Sequence, residues 1–161
     1  MNIIALLETL VNGLLETEEN FFSNPRDIYA LEKATKATTD AVAAMFMSNV
    51  LSSMDEKIYN CSYREGRYNV QRKDKRTLVS SVGDITFDST YYKRLTDEGG
   101  YVSLLEEMMG LSKHERFTEE AEVMMLTEAL RTSYSEAARI DRKSTRLNSS
   151  HRIQSRMPSS A

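Results

Sequence analysis

Apolar residues open the chain at intervals of three and four: Ile3, Leu6, Leu7, Leu10, Val11, Leu14 and Leu15. That period predicts an amphipathic helix over roughly residues 2–19 with one packing face. The other side is rich in Glu (Glu8, Glu16, Glu18, Glu19), the wrong sign for an anionic lipid surface. Asn24-Pro25 reads as the next helix start, with Asn capping free N–H groups and Pro at the first helical position. Onward to about Tyr59, the seam Ile28, Leu31, Thr35, Thr38, Val42, Met45 and Asn49 predicts one long helix or two joined ones. Ala34, Ala37, Ala41, Ala43 and Ala44 leave room for another helix, from the same chain or from a second subunit.

The period then changes. Tyr68, Val70, Thr77, Leu78, Val79, Ile85, Thr86, Phe87, Thr90, Tyr91 and Tyr92 are β-formers, and Ile85, Phe87, Ser89 and Tyr91 alternate along one run. Val82-Gly83-Asp84 supplies a turn. A β-hairpin is therefore expected from Thr77–Ser81 and Ile85–Lys93, with a third strand at Tyr68–Lys73. Beyond Gly99-Gly100, Val102–Met109 predicts a short helix that Gly110 ends. Thr118 is placed to cap a helix reaching about Leu130, with Ala121, Met124, Met125 and Ala129 inward. Arg131-Thr132-Ser133 reads as a turn, and Ser133 to Glu136 as a capping box opening one more helix. The expected fold class is α+β, mainly helical. Its parts are an N-terminal helical region (1–60), a central hairpin (61–95) and the start of a helix-turn-helix-like segment (96–140).

Residues 141–161 stand apart. Asp141 to His151 back-translates without a mismatch to the adapter ligated to fragments in short-read sequencing libraries, and Gln154 to Ala161 fits that adapter's far end. The segment is expected to be artefactual rather than an ordinary Ser/Arg-rich tail, and the native chain to be cut off after Ile140. The tail carries +4, so the net charge of −3 for the whole chain becomes −7 for residues 1–140. Those charges are segregated: −6 over 1–56, +5 over 57–94 and −6 over 95–140. A basic block between two acidic ones points to a polyanion meeting the middle segment. Cys61 is the only cysteine, which excludes an intrachain disulfide and a Cys-x-x-Cys zinc knuckle and fits a reducing cytosol. No apolar run approaches the roughly 18–20 residues of a membrane span. A soluble, cytoplasmic protein with no membrane partner is expected.

Candidate chemistry concentrates in the hairpin. Arg64, Arg67, Arg72, Lys73, Lys75, Arg76, Lys93 and Arg94 are interleaved with Tyr63, Tyr68, Tyr91 and Tyr92. Arg and Lys neutralise phosphate oxygens and release counterions, while Tyr offers a hydroxyl to phosphate or a face to a base. The competing reading is a solvated charged edge that deters aggregation. A helix-turn-helix at 118–140 would start its recognition helix at Ser135 and aim it at base edges, against the alternative of an αα-hairpin in a bundle. Catalysis is poorly served: His114 is the sole histidine of residues 1–140, and Glu106, Glu107, Glu119, Glu120 and Glu122 read as solvated helix faces. No phosphate-binding Gly loop, nucleophile elbow or zinc-protease motif is present.

The run from Tyr68 to Lys93, with its basic Arg72-Lys73-Asp74-Lys75-Arg76-Thr77 strand, Val82-Gly83-Asp84-Ile85-Thr86-Phe87 turn and Thr90-Tyr91-Tyr92-Lys93, resembles the N-terminal region of the ISLre-type insertion-sequence transposases. Ser133-Tyr134-Ser135-Glu136-Ala137-Ala138 resembles that family's helix-turn-helix-like segment. The resemblance covers about residues 1–140 and implies a parent roughly three times longer. The missing part would carry an RNase-H-like domain whose acidic triad holds two divalent metals, such as Mg, for DNA strand transfer. None of the acids in residues 1–140 matches that triad, so no catalytic or metal-ligating residue carries over, and this fragment alone is expected to hold no cofactor and to be inactive. The expected role is duplex DNA binding at insertion-sequence ends. Arg67, Arg72, Lys73, Lys75, Arg76, Tyr91, Tyr92, Lys93, Arg94 and Ser135 are the contact residues. The alternative is a non-catalytic module whose helices mediate homo-oligomerisation.

Overall fold

The computed structural model describes residues 3–95 and 100–154, with side chains described as far as Glu136. The fold is α+β and mainly helical, as expected. It comprises α1 (Ile3–Ser23), α2 (Ile28–Tyr59), a 3-10 turn (Ser62–Arg64), β1 (Tyr68–Ser80), β2 (Gly83–Arg94), β3 (Tyr101–Ser103), α3 (Leu104–Met109) and α4 (Glu119–Gln154). Two compact units result, residues 1–118 and 119–161. Among the described residues no helix is long and apolar enough to cross a membrane.

In the first unit α1 packs on α2. The second helix starts later than Asn24-Pro25 suggested. Asp27 is its cap, accepting the Ala30 N–H at 2.9 Å, while Asn24 and Pro25 sit in the preceding turn. The face of α1 that meets α2 is not the aliphatic stripe. Leu6 and Thr17 are its buried residues, and Gly13 lies so close to Thr38 that a Cβ there would sit 2.6 Å from Cγ2. Small and hydroxyl-bearing residues let the helices approach, and Thr17 satisfies its hydroxyl on the Gly13 carbonyl at 2.7 Å. Ile3, Leu7, Val11, Leu14 and Leu15, expected to pack, remain exposed.

The sheet is antiparallel in the order β1-β2-β3. Tyr68–Lys73, expected as a third strand, instead forms the first half of β1, and a bulge between Val70 and Arg72 lets the strand continue. The third strand is Tyr101–Ser103, which pairs with Tyr91–Lys93. Register places Leu78 opposite Ile85 and Arg76 opposite Phe87. Leu78, Ile85 and Phe87 join Leu105 of α3 in the core, with Leu51, Met54 and Ile58 of α2 against them. Ser103 caps α3, and Gly110, at φ 71° in the left-handed region, ends it as the sequence predicted.

Helix α2 also closes the side of β2 that faces away from β1. Three N–H groups of β2 point at it and find acceptors spaced along one helical face. Thr86 donates to Ser48 Oγ (3.1 Å), Asp88 to Ser52 Oγ (3.2 Å) and Thr90 to Asp55 Oδ1 (2.8 Å). Thr90 Oγ1 adds a 2.6 Å bond to Asp55 Oδ2, and Asp55 is buried. A row of donors that would otherwise template another strand is thereby satisfied within the chain.

The second unit corrects the helix-turn-helix expectation. Helix α4 runs unbroken through Arg131-Thr132-Ser133. That tripeptide holds neither Gly nor Pro. Its polar groups are satisfied inside the helix: Thr132 Oγ1 donates to the Glu128 carbonyl at 2.9 Å, and Ser135 Oγ to the Thr132 carbonyl at 2.9 Å. With no helix start at Ser133 there are no free N–H groups for a capping box to serve. Met124, Met125 and Ala129, expected inward, are exposed.

Candidate nucleic-acid interface

The basic run 72–76 lies along β1, the edge strand of the sheet. Alternation sets Arg72 and Arg76 on one face of the strand and Lys73 and Lys75 on the other, and of these four only Arg76 is drawn into the core network. Arg76 faces the core side, with its side chain 12% exposed and its Nη1 against the Glu106 carboxylate as an ion pair rather than an aligned hydrogen bond. Nη2 donates to the carbonyls of Ser112 (3.1 Å) and Glu115 (2.9 Å). Glu106 is itself buried and accepts from Ser89 Oγ (3.0 Å) and Tyr91 OH (3.1 Å), and Ser89 meets Ser103 Oγ at 2.9 Å. This network pins α3 and the 112–115 loop to the hairpin. Burial first, and then the Glu106 charge, raises the Tyr91 phenol above its ordinary ionisation range.

The other cations of the strand are in solvent. Arg72 is 68% exposed, paired with Asp74 at 2.8 Å and stacked 5.1 Å from the Tyr91 ring centroid. Lys73, 51% exposed, reaches Asp88 at 3.2 Å, and Lys75 is exposed with no acidic partner among the described residues. At the hairpin base, the Arg67 guanidinium lies 4.5 Å from the Tyr63 ring centroid, Arg94 pairs with Glu107 at 3.1 Å, and Lys93 is exposed. Opposite β2, the free side of β1 carries the main-chain groups of Lys73, Lys75 and Thr77. The same side is occupied further on, where Val79 N–H donates to the Arg116 carbonyl at 2.8 Å. From Tyr68 to Lys75 the strand spans roughly 23 Å at about 3.3 Å per residue. Exposed guanidinium and ammonium groups on both faces of an edge strand suit a row of phosphates.

The sequence profile of a family described as an uncharacterised protein family, UPF0236, matches residues 22–156. The chain belongs to the UPF0236 family. One UPF0236 protein of Caldanaerobacter subterraneus subsp. tengcongensis is 26% identical over 125 residues, covering 78% of this chain and 27% of that relative. A second from the same organism is 26% identical over 136 residues, covering 81% of this chain and 29% of its own length. The chain thus spans between a quarter and a third of the curated relatives it matches. No solved structure matches. The UPF0236 profile runs past Ile140, as does α4, and neither observation bears on the nucleotide-level likeness of residues 141–161 to an adapter.

Of the ten residues expected to touch DNA, the fold brings Arg67, Arg72, Lys73, Lys75, Lys93 and Arg94 to the hairpin surface, with Tyr91 half-buried beneath Arg72. Two are corrected. Arg76 is committed to Glu106 and two carbonyls, and Tyr92 is fully buried, its ring edge-on to Tyr68 at 6.3 Å. Burial first, and then the Asp55 charge, raises the Tyr92 phenol. Ser135 lies within α4 rather than at a recognition-helix start. Glu106 serves the core network and Glu107 pairs with Arg94. Among the described residues no cluster of three or more His, Cys, Asp or Glu is placed to hold a metal ion.

Proposed function

We propose that this part of the UPF0236 protein grips duplex DNA along β1 and the base of the β1–β2 hairpin. In this reading it is the DNA-holding N-terminal part of an insertion-sequence transposase, and the strand-transfer chemistry belongs to residues outside this chain. The observation that carries the reading is the surplus of exposed positive charge. With Arg76 set aside, residues 57–94 still hold eight basic groups against four acidic ones. The motif between Tyr68 and Lys93, with its likeness to ISLre-type transposases, supports the transposition half of the proposal. Contact runs through phosphates, so affinity and not sequence choice resides in this surface.

The test reverses Arg72, Lys73 and Lys75 to Glu while leaving Arg76 intact, and follows a labelled duplex by fluorescence anisotropy. Loss of binding by roughly a hundredfold at about 50 mM salt is expected, since each lost phosphate contact removes its share of counterion release. Unchanged binding by a folded triple variant refutes the proposal.

A second reading is favoured by one observation: α1 leaves Ile4, Leu7, Val11 and Leu14 exposed at alternating steps of three and four, the spacing of a helix–helix seam. Self-association of α1–α2 hairpins through that stripe is compatible with DNA binding. Replacement of Leu7 and Val11 by Glu would leave a monomer in sedimentation equilibrium if the stripe is the interface. A wild-type protein already monomeric at tens of micromolar refutes it.

A further inference from the structure

A cavity of about 730 Å³ opens between the C-terminal end of α2, the 3-10 turn and α3. Its walls include Ile58, Leu104 and Met108, while Lys57, Arg64 and Tyr63 stand around it. We propose that this cavity receives an unpaired nucleotide, its base against the apolar wall and Tyr63 and its phosphate on Lys57 and Arg64. The inference rests on the nucleic-acid reading above and deepens it, since the duplex surface and the cavity share the hairpin base.

Three features select a nucleotide. The volume falls within the range of about 300–1,000 Å³ usual for small-molecule sites, ample for one base with its sugar. The Arg67 guanidinium occupies one face of the Tyr63 ring, which leaves the opposite face for a base, and such stacking tolerates any base identity. The charges at the rim are one-sided. Glu107, the acid in the lining, is matched by Arg94 at 3.1 Å, while Lys57 has no acidic partner among the described residues. Arg64 is held by its Nε donating to the Tyr59 carbonyl at 3.0 Å, with its guanidinium 5.1 Å from the Tyr59 ring centroid. That anchorage leaves its terminal nitrogens for an anion. An apolar hollow alone would suit an acyl chain. A ring platform beside two cations suits a flat heterocycle carrying a phosphate.

Cys61 lines the cavity and is exposed, and as the chain's single cysteine it is a built-in reporter. Its alkylation by iodoacetamide in the full chain is followed by intact mass with four probes: thymidine 5′-monophosphate, a short oligo-dT strand, inorganic phosphate and a blunt duplex. Slowing of alkylation by the first two and not by the last two is expected. Tyr63→Ser should weaken that protection roughly tenfold, and Met108→Trp should abolish it by filling the hollow. Equal protection by inorganic phosphate reduces the site to an anion contact, equal protection by duplex assigns it to the duplex footprint, and no protection leaves it empty. Each of these outcomes overturns the inference. Duplex binding measured by anisotropy in the same samples separates the two levels. If duplex binds and Cys61 is never shielded, only the cavity assignment fails. If neither nucleic acid binds, the DNA reading fails with it.

Discussion

Replacing Arg76 with Met separates the two jobs within a single basic run. The guanidinium is 12% exposed and its partner Glu106 is 9% exposed, so the variant strands a carboxylate in a site built for a pair. Two carbonyls, of Ser112 and Glu115, lose their donor as well. Breaking a buried pair by removing one partner costs about 3–5 kcal/mol, a large share of the roughly 5–15 kcal/mol that holds an ordinary domain together. Lys75→Met, one residue away on the opposite face, removes an exposed cation and should change stability by no more than about 0.5 kcal/mol. Urea denaturation followed by circular dichroism compares the two. Adding Glu106→Gln to Arg76→Met should recover part of the loss, because a neutral amide is cheaper to bury than a lone carboxylate. Equal midpoints for the two single variants, or no recovery in the double, would refute the division of labour along β1.

Asp55→Ala leaves the Thr90 N–H and hydroxyl without acceptors. It should cost about 2–4 kcal/mol and speed hydrogen exchange at the Thr90 amide before that of the β1–β2 ladder. Gly13→Ala drives a methyl into Thr38, so a lower melting temperature is expected despite Ala's better helix propensity, and Thr38→Ala in the same chain should restore it. The raised phenols of Tyr91 and Tyr92 favour their neutral forms in the fold. The stability tied to them is therefore complete below the unfolded value of about 10 and is lost as pH climbs through the folded values. In a titration of phenolate absorbance these two should ionise last, and Tyr91→Phe should remove part of that late phase. A single phase at the free-tyrosine value would contradict the burial of both rings.

Much of the fold was legible because its signals are local. Alternation at Ile85, Phe87 and Ser89 survives as the buried face of β2, the stop at Gly110 is a left-handed cap, and the seam beyond Ile28 is one continuous helix. The fate of Arg76 was also encoded, since counting back by two from buried Leu78 turns it inward, but a charge run invites a surface reading. Tyr92 was not legible. Parity sets it opposite Tyr91, and only the placement of Tyr68 and α2 decides that this side is covered. Nor were Ser48, Ser52 and Asp55, whose helical spacing marks a polar stripe without revealing that a strand edge lies along it. The turn expected at Arg131-Thr132-Ser133 failed because Ser and Thr can bond carbonyls within a helix as readily as they cap one.

The central claim, that the exposed cations of the hairpin hold a phosphate backbone, is tested most directly by the salt dependence of duplex binding. One phosphate engaged by each of the six surface cations Arg67, Arg72, Lys73, Lys75, Lys93 and Arg94 predicts a slope of about −5.4 for log affinity against log salt, and Lys75→Gln should flatten it by about 0.9. A wild-type slope near zero, or one that Lys75→Gln leaves unchanged, would contradict it.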